Sequence, residues 1–211
     1  MKYPCGKIYT DVEQGGDAWR QLRCGLVTGS KIADVMQEKK GTGYANYLAQ
    51  LACERLTGCV TETFKNAYME RGNEDEGAAR DCYSFVTGNE VEQVAFVKHP
   101  YLDCAGCSPD GLVGSDGLVE IKRKIPALHI AYILKNEVPT EYRKQMMFQM
   151  ACTGRQWCDF ASYCPELPEE MQLFVIRYHR NDDAIKKMEV AVMEFNASVD
   201  KMLADLEALR L

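Results

Sequence analysis

The chain has 211 residues, 31 of them acidic and 25 Lys or Arg, for a net charge of −6; 46% are hydrophobic and 27% charged. This composition suits a globular chain with one sizeable core, and it excludes a protein that coats nucleic acid through bulk positive charge, though not one with a local basic groove. No apolar stretch approaches the roughly 20 residues of a membrane-spanning helix. The first ten residues (MKYPCGKIYT) also lack the apolar run of a signal peptide, so a cytoplasmic location and no membrane partner are expected. Without an export signal the ten cysteines read as reduced thiols, most of them in the core.

No repeat, low-complexity tract or linker divides the chain, so a single domain over 1–211 is expected. Residues 17–23 carry an apolar helical face, and Ser30 reads as the N-cap of a short helix over 31–36. Helical spacing returns over 44–56 and 67–85, each segment closed by a Thr-Gly pair, Thr57-Gly58 and Thr87-Gly88. The period then changes. Segments 91–97, 112–113 and 118–122 read as short strands, 127–135 and 141–153 as helices, and 157–163 and 173–178 as strands.

The sum is an α/β (α+β) domain with one central mixed sheet flanked by helices and a helical N-terminal part. At the end, Ile185, Met188, Val192, Phe195, Val199, Met202, Leu206 and Leu209 alternate spacings of three and four, which makes one long amphipathic helix. Packing across the sheet is the expected use of that seam; a subunit contact is the alternative.

The chemically informative stretch runs from Ser108 to Lys122 (SPDGLVGSDGLVEIK). A three-residue hairpin loop of Ser115, Asp116 and Gly117, with Gly117 left-handed, would set Gly114 opposite Leu118 and Asp110 opposite Lys122. Glu120 and Lys122, two apart on a strand, share a face while Ile121 points away. Two carboxylates and an ammonium converging on one face need a compensating partner when buried, and a divalent cation would supply it. An ordinary surface hairpin with a Glu-Lys pair fits the same spacing equally well.

Pro109-Asp110, nine residues, then Glu120-Ile121-Lys122 resembles the PD-(D/E)xK nuclease motif. The segment 13–23 (EQGGDAWRQLR) with Gly25 and Thr28-Gly29-Ser30, the segment 71–76 (RGNEDE), 107–111 (CSPDG) and 142–153 are similar, in that order, to lambda-type exonucleases of the YqaJ-like viral recombinase family. The resemblance spans most of the chain and implies a restriction-endonuclease-like core. It implies that Asp110, Glu120 and the carbonyl of Ile121 bind Mg²⁺, with Mn²⁺ left open as an alternative, that Glu76 serves the second of two ions, and that Lys122 serves the attacking water. It further implies that Gln145 supports the site, that Arg23 with Thr28 and Ser30 holds a terminal 5′-phosphate, and that Met69 is a strand-separating wedge.

The activity implied is 5′ to 3′ digestion of duplex DNA from its ends, leaving 3′ single strands for phage-type recombination. The implied assembly is a homotrimeric ring, with a single-strand annealing protein as partner, in a phage- or prophage-carrying bacterium. Each residue also has a plain reading without the family. Glu74 to Glu76 would be a solvated face, Gln145 a boundary residue, Arg23 a partner for an acid on its own helix, Ser30 a simple cap, and Met69 core.

Charge is segregated: residues 120–144 hold six Lys or Arg against three acids, and the chain from Asp182 holds seven acids against four bases. A DNA track near the hairpin is expected from the first of these. Cys104 and Cys107 form a CxxC without a second pair, which argues against zinc or an iron–sulfur cluster. No HExxH, GxSxG or GxxxxGK[ST] occurs. Beside the exonuclease, an endonuclease of the same fold and a non-catalytic DNA-end-binding scaffold remain open.

Overall fold

A computed structural model describes residues 3–37, 41–61 and 76–209. Along them run β1 (Ile8–Tyr9), α1 (Asp17–Arg23), β2 (Val27–Thr28), α2 (Ile32–Val35), α3 (Thr42–Thr57), α4 (Glu76–Thr87), β3 (Val91–Glu92), β4 (Phe96–Lys98) and β5 (Ala105–Cys107). They are followed by β6 (Gly111–Val113), β7 (Gly117–Arg123), α5 (Pro126–Lys135), α6 (Thr140–Thr153), β8 (Trp157–Tyr163), β9 (Leu173–His179) and α7 (Asp182–Ala208). None of the described helices is long and apolar enough to cross a membrane. All ten cysteines are free; Cys107, Cys152, Cys158 and Cys164 are buried, but Cys5, Cys53 and Cys59 are exposed, so fewer lie in the core than expected.

The architecture is mixed α/β, built on two sheets rather than one. The larger has the order β3-β6-β7-β8-β9, the smaller β1-β4-β5-β2. In the larger, only β7 and β8 are parallel, and the crossover that parallel pairing demands is supplied by α5 and α6. β8 is buried on both faces, which is why its sequence, WCDFASY, is apolar or small almost throughout.

The run at 91–97 splits between the two sheets. Its middle carbonyls are taken by side chains instead of a ladder: Gln14 donates to Val94, while Trp19 and Ser108 donate to Ala95.

Alternation along β7 sorts its residues between two cores. Leu118 joins the large core with Phe148, Met150 and Phe160, while Val119 and Ile121 join a smaller one with Ala79, Tyr83 and Ala161. α6 therefore covers one face and α4 the other. α7 packs mainly on α3, α2 and α6 rather than across the sheet. Phe195 accounts for part of this, seated edge-on to Tyr44 at 4.9 Å and stacked on Tyr47 at 5.3 Å.

Two N-terminal details differ from expectation. Ser30 lies exposed inside a 3₁₀ turn, Gly29–Lys31, and caps nothing, because α2 begins only at Ile32. The helix expected over 67–85 is described from Glu76, so Met69 and residues 71–75 lie outside the described residues.

Candidate active site

The hairpin that carries the Asp110, Glu120 and Lys122 motif is shifted by two residues from the register expected. Val113 pairs with Gly117, Leu112 with Leu118 and Gly111 with Val119, and the left-handed residue is Gly114, at φ 51°. Gly117 is a glycine for a different reason: a Cβ there would lie 2.1 Å from the Trp157 ring. A shift of two preserves the faces, so the same side chains still converge. Arg155 pins the loop by donating to the carbonyls of Val113, Gly114 and Gly117.

Asp110 sits just before β6, and its Oδ2 accepts the Ile121 backbone N–H at 2.7 Å. Lys122 Nζ stands 2.5 Å from Glu120 Oε1 and 3.7 Å from Asp110 Oδ2. The Glu120 side chain is fully buried, Asp110 is 15% exposed and Lys122 26%. The Asp110, Glu120 and Lys122 constellation thus forms one tight cluster.

A buried carboxylate needs donors on both oxygens. α6 supplies them: Gln145 Nε2 donates to Glu120 Oε1 and Gln149 Nε2 to Oε2, each at 2.6 Å. The two glutamines are four apart and so share a helical face. Burial, and then the Asp110 charge, push the Glu120 carboxyl upward despite the opposing pull of Lys122. Burial alone would lower the Lys122 ammonium, yet Glu120 and Asp110 outweigh it and hold it above its ordinary value. Lys122 is therefore a fixed cation, and Glu120 a carboxylate whose charge depends on positive neighbours.

Glu76 approaches from the other face of the sheet, at the N-terminus of α4. α4 is clamped by Tyr83, whose hydroxyl donates to buried Asp159 at 2.8 Å, while Arg177 forks onto the same carboxylate at 2.8 and 3.0 Å. One turn earlier Arg80 bridges Glu76, at 3.4 Å, and the Asp110 carbonyl, at 3.3 Å. Burial and the nearby Asp110 charge raise the Glu76 carboxyl.

The donor set bears on which metal could sit here. Among the described residues no three His, Cys, Asp or Glu side chains form a ready metal cage. Asp110 and Glu120, with Glu76 adjacent, are instead the kind of carboxylate set that would suit Mg²⁺, which takes one or two carboxylates and fills its shell with water, better than Zn²⁺.

The Arg23 group lies at the small sheet. Arg23 stacks on the Trp19 ring, 4.0 Å from its centroid, and forms no ion pair among the described residues. It is not, then, the partner of an acid on α1. Burial lowers its guanidinium, with Tyr47, Cys107 and Glu54 acting against that. Trp19 Nε1 donates to Ser108 Oγ at 2.9 Å, two residues before Asp110, so the arginine platform is tied to the carboxylate hairpin. Thr28 is buried and its N–H donates to the Tyr47 hydroxyl, which leaves it no free amide for an anion. Ser30 is exposed nearby in sequence, but no contact ties it to Arg23.

Comparison with known proteins gives this arrangement a context. The model of the YqaJ-like viral recombinase domain matches residues 18–156. The chain belongs to the YqaJ-like viral recombinase family. An alkaline exonuclease from Laribacter hongkongensis, solved alone and in complex with dAMP, is 44% identical with a TM-score of 0.86 in both structures, over 92% of this chain and 97% of that one. A phage-related exonuclease from Haemophilus somnus 129PT, 14% identical with a TM-score of 0.71 over 89% and 99% of the two chains, shares the fold. No curated protein matches.

Several residues of this YqaJ-like site escape a reading of motifs. Gln149 could have been found as the i+4 neighbour of Gln145. Arg155 carries no local signal, because it acts on backbone 38 to 42 positions away; Arg80 and Trp19 have i, i+4 partners in Glu76 and Arg23, but their ties to the hairpin, 30 and 89 positions away, leave no local trace.

Proposed function

We propose that this chain is a Mg²⁺-dependent deoxyribonuclease that digests duplex DNA from its ends, removing the 5′-ended strand in the 5′ to 3′ direction for phage-type recombination. The observation that carries this reading is the fully buried Glu120, beside Asp110 and Lys122, with both oxygens held by glutamines. A buried carboxylate fixed this rigidly beside a second acid is organised for a cation rather than for packing. Membership of the family and the 44% identity to an alkaline exonuclease support the same reaction class.

When bound by Asp110, Glu120, the Ile121 carbonyl and Glu76, Mg²⁺ supplies charge neutralisation and activates water for attack on phosphorus. Two ions per site, with Mn²⁺ as a substitute, fit that donor set. The chain's own groups do the rest. Lys122, permanently charged, orients the attacking water and stabilises the negative charge that grows on the phosphate oxygens. Gln145 and Gln149 keep Glu120 from rotating. Arg23, unpaired by any described acid and flattened on Trp19, offers a planar fork to a terminal 5′-phosphate. That selects the 5′ end and sets polarity, with exposed Ser30 as a secondary contact; Thr28 shapes the loop through Tyr47.

A homotrimeric ring would keep an acidic chain on DNA without strong bulk attraction, and a single-strand annealing protein would receive the 3′ strand; the working place is the bacterial cytoplasm. The first experiment compares linear with closed circular duplex DNA in Mg²⁺ or EDTA, with Lys122→Ala alongside. End-dependent digestion of linear DNA, abolished by EDTA and by Lys122→Ala, is expected. Nicking of circles would make the chain an endonuclease, and DNA binding without cleavage would make it a scaffold.

A further inference from the structure

Residues 120–144 hold six basic side chains, and the structure accounts for most of them. Lys122 serves Glu120, Arg123 pairs with Glu166, and Lys135 and Arg143 both reach Glu137. Lys124 differs. It meets no acid among the described residues; its Nζ instead donates to the Tyr142 hydroxyl at 2.5 Å and lies 5.0 Å from the centre of that ring.

Tyr142 is itself a fixed platform, stacked on buried Phe160 at 5.2 Å with 18° between the rings. Lys122 Nζ stands 5.8 Å from the same ring centre, so the two ammonium groups are no further apart than those two distances combined. A lysine normally keeps its rotamer freedom and its hydration shell. One held by a phenol, with no acid among the described residues, on the ring that Lys122 also faces, is pre-oriented for an anion that arrives from outside.

We infer that Lys124, held by Tyr142 beside Lys122, is a phosphate-binding residue that grips the DNA strand at a phosphodiester adjoining the one being cut. The inference rests on the nuclease reading above and adds a second point of contact to it. It also narrows the DNA track suggested by composition to a side chain that meets no described acid and shares the Tyr142 ring with Lys122. Because a phosphate contact positions without reading bases, the contribution is independent of sequence and sensitive to salt.

The test is the salt dependence of kcat/KM on a 5′-phosphorylated linear duplex in Mg²⁺, for the full chain and for Lys124→Gln, Lys124→Arg and Tyr142→Phe. Lys187→Gln, on α7, controls for the loss of one charge. Lys124→Gln is expected to raise KM about fivefold to tenfold near physiological salt, to leave kcat within about twofold, and to reduce the slope of log(kcat/KM) against log salt by about 1. Lys124→Arg should retain the slope, Tyr142→Phe should give an intermediate KM, and Lys187→Gln should change neither.

An unchanged KM and slope in Lys124→Gln would overturn the inference while the nuclease reading stands. So would a loss confined to kcat, which would make Lys124 a support for Lys122, or an equal drop in slope for Lys187→Gln, which would make the effect one of net charge. Failure of the unsubstituted chain to cut DNA would overturn the nuclease reading and this inference together. Thermal unfolding of each variant keeps a folding defect from passing as a loss of binding.

Discussion

Two charged regions of the molecule are built on opposite plans. Around Glu120, a carboxylate at zero exposure receives three donors, from Lys122, Gln145 and Gln149, so both oxygens are held and Oε2, with a single donor, keeps a lone pair for a cation. Around Arg23, a guanidinium is flattened on Trp19 and given no acid among the described residues. On the proposed reading, the first plan fixes negative charge for a cation to be held in one geometry. On the same reading, the second keeps positive charge available for an anion brought by the substrate. A stability argument alone would favour neutralising both, so the contrast itself points to function.

Breaking the first region should have the largest effect. Lys122→Ala removes the fixed cation and leaves the Glu120 and Asp110 charges unopposed; kcat is expected to fall by about 10²–10³-fold. Single-turnover digestion of linear duplex would measure this, and a drop of less than tenfold would place Lys122 outside the chemistry.

Breaking the second region should act through the substrate end. Arg23→Ala is expected to lower kcat/KM for 5′-phosphorylated ends by about 10–100-fold, the worth of a charge-assisted hydrogen bond at a dry site. Ends bearing a 5′-hydroxyl should change far less, so the ratio of the two substrates is the quantity to follow. Equal losses on both would assign Arg23 a structural role.

Gln149→Met sharpens the comparison from inside the first region. It leaves Glu120 Oε2 without its donor at a 1% exposed position, and a loss of about 1–3 kcal/mol in denaturant unfolding is expected. The same substitution should raise the Mg²⁺ concentration needed for half-maximal activity, an effect that mere loosening of α6 would not produce at temperatures well below unfolding.

The last effect is one of pH and leaves the chemistry untouched, and it too falls on the α6 side. His99 stacks on Phe148 of α6 at 5.8 Å, and its Nδ1 accepts the N–H groups of Tyr101 and Leu102. Burial first, and Arg180 second, lower its imidazole to about 4; Glu189 Oε1 lies 3.3 Å from Nε2 without forming a hydrogen bond. A folded-state value below the unfolded one of about 6.5 means that the contribution is complete above pH 6.5 and is lost as pH falls from 6.5 toward 4. At most about 3 kcal/mol is at stake. Denaturation at pH 7 and pH 5 should show the decline, and His99→Gln should flatten it.

How much of this was legible in the sequence depends on how far each signal reaches. The bounds of α1 and β8 follow directly from local pattern, and the seam of α7 from its period. The hairpin faces were legible because alternation survives a register error of two. The register itself was not, since glycines at both 114 and 117 permit two loops and only the Trp157 ring, 40 residues away, decides between them. One sheet became two because β1, β2 and β5 have only two or three residues each, too short for any period. Ser30 looked like a cap because a cap is a local pattern, whereas the turn it occupies answers to packing of Gly29 on Cys107 and Phe148.

The most direct test of the central claim is a time course on linear duplex DNA carrying distinguishable labels at the 5′ and 3′ ends of one strand, in Mg²⁺. Early release of the 5′ label as mononucleotide, with the 3′ label retained in long products and both unchanged in EDTA, is the result the Glu120 and Arg23 sites predict. Release of the 3′ label first, or of both labels in EDTA, would contradict it.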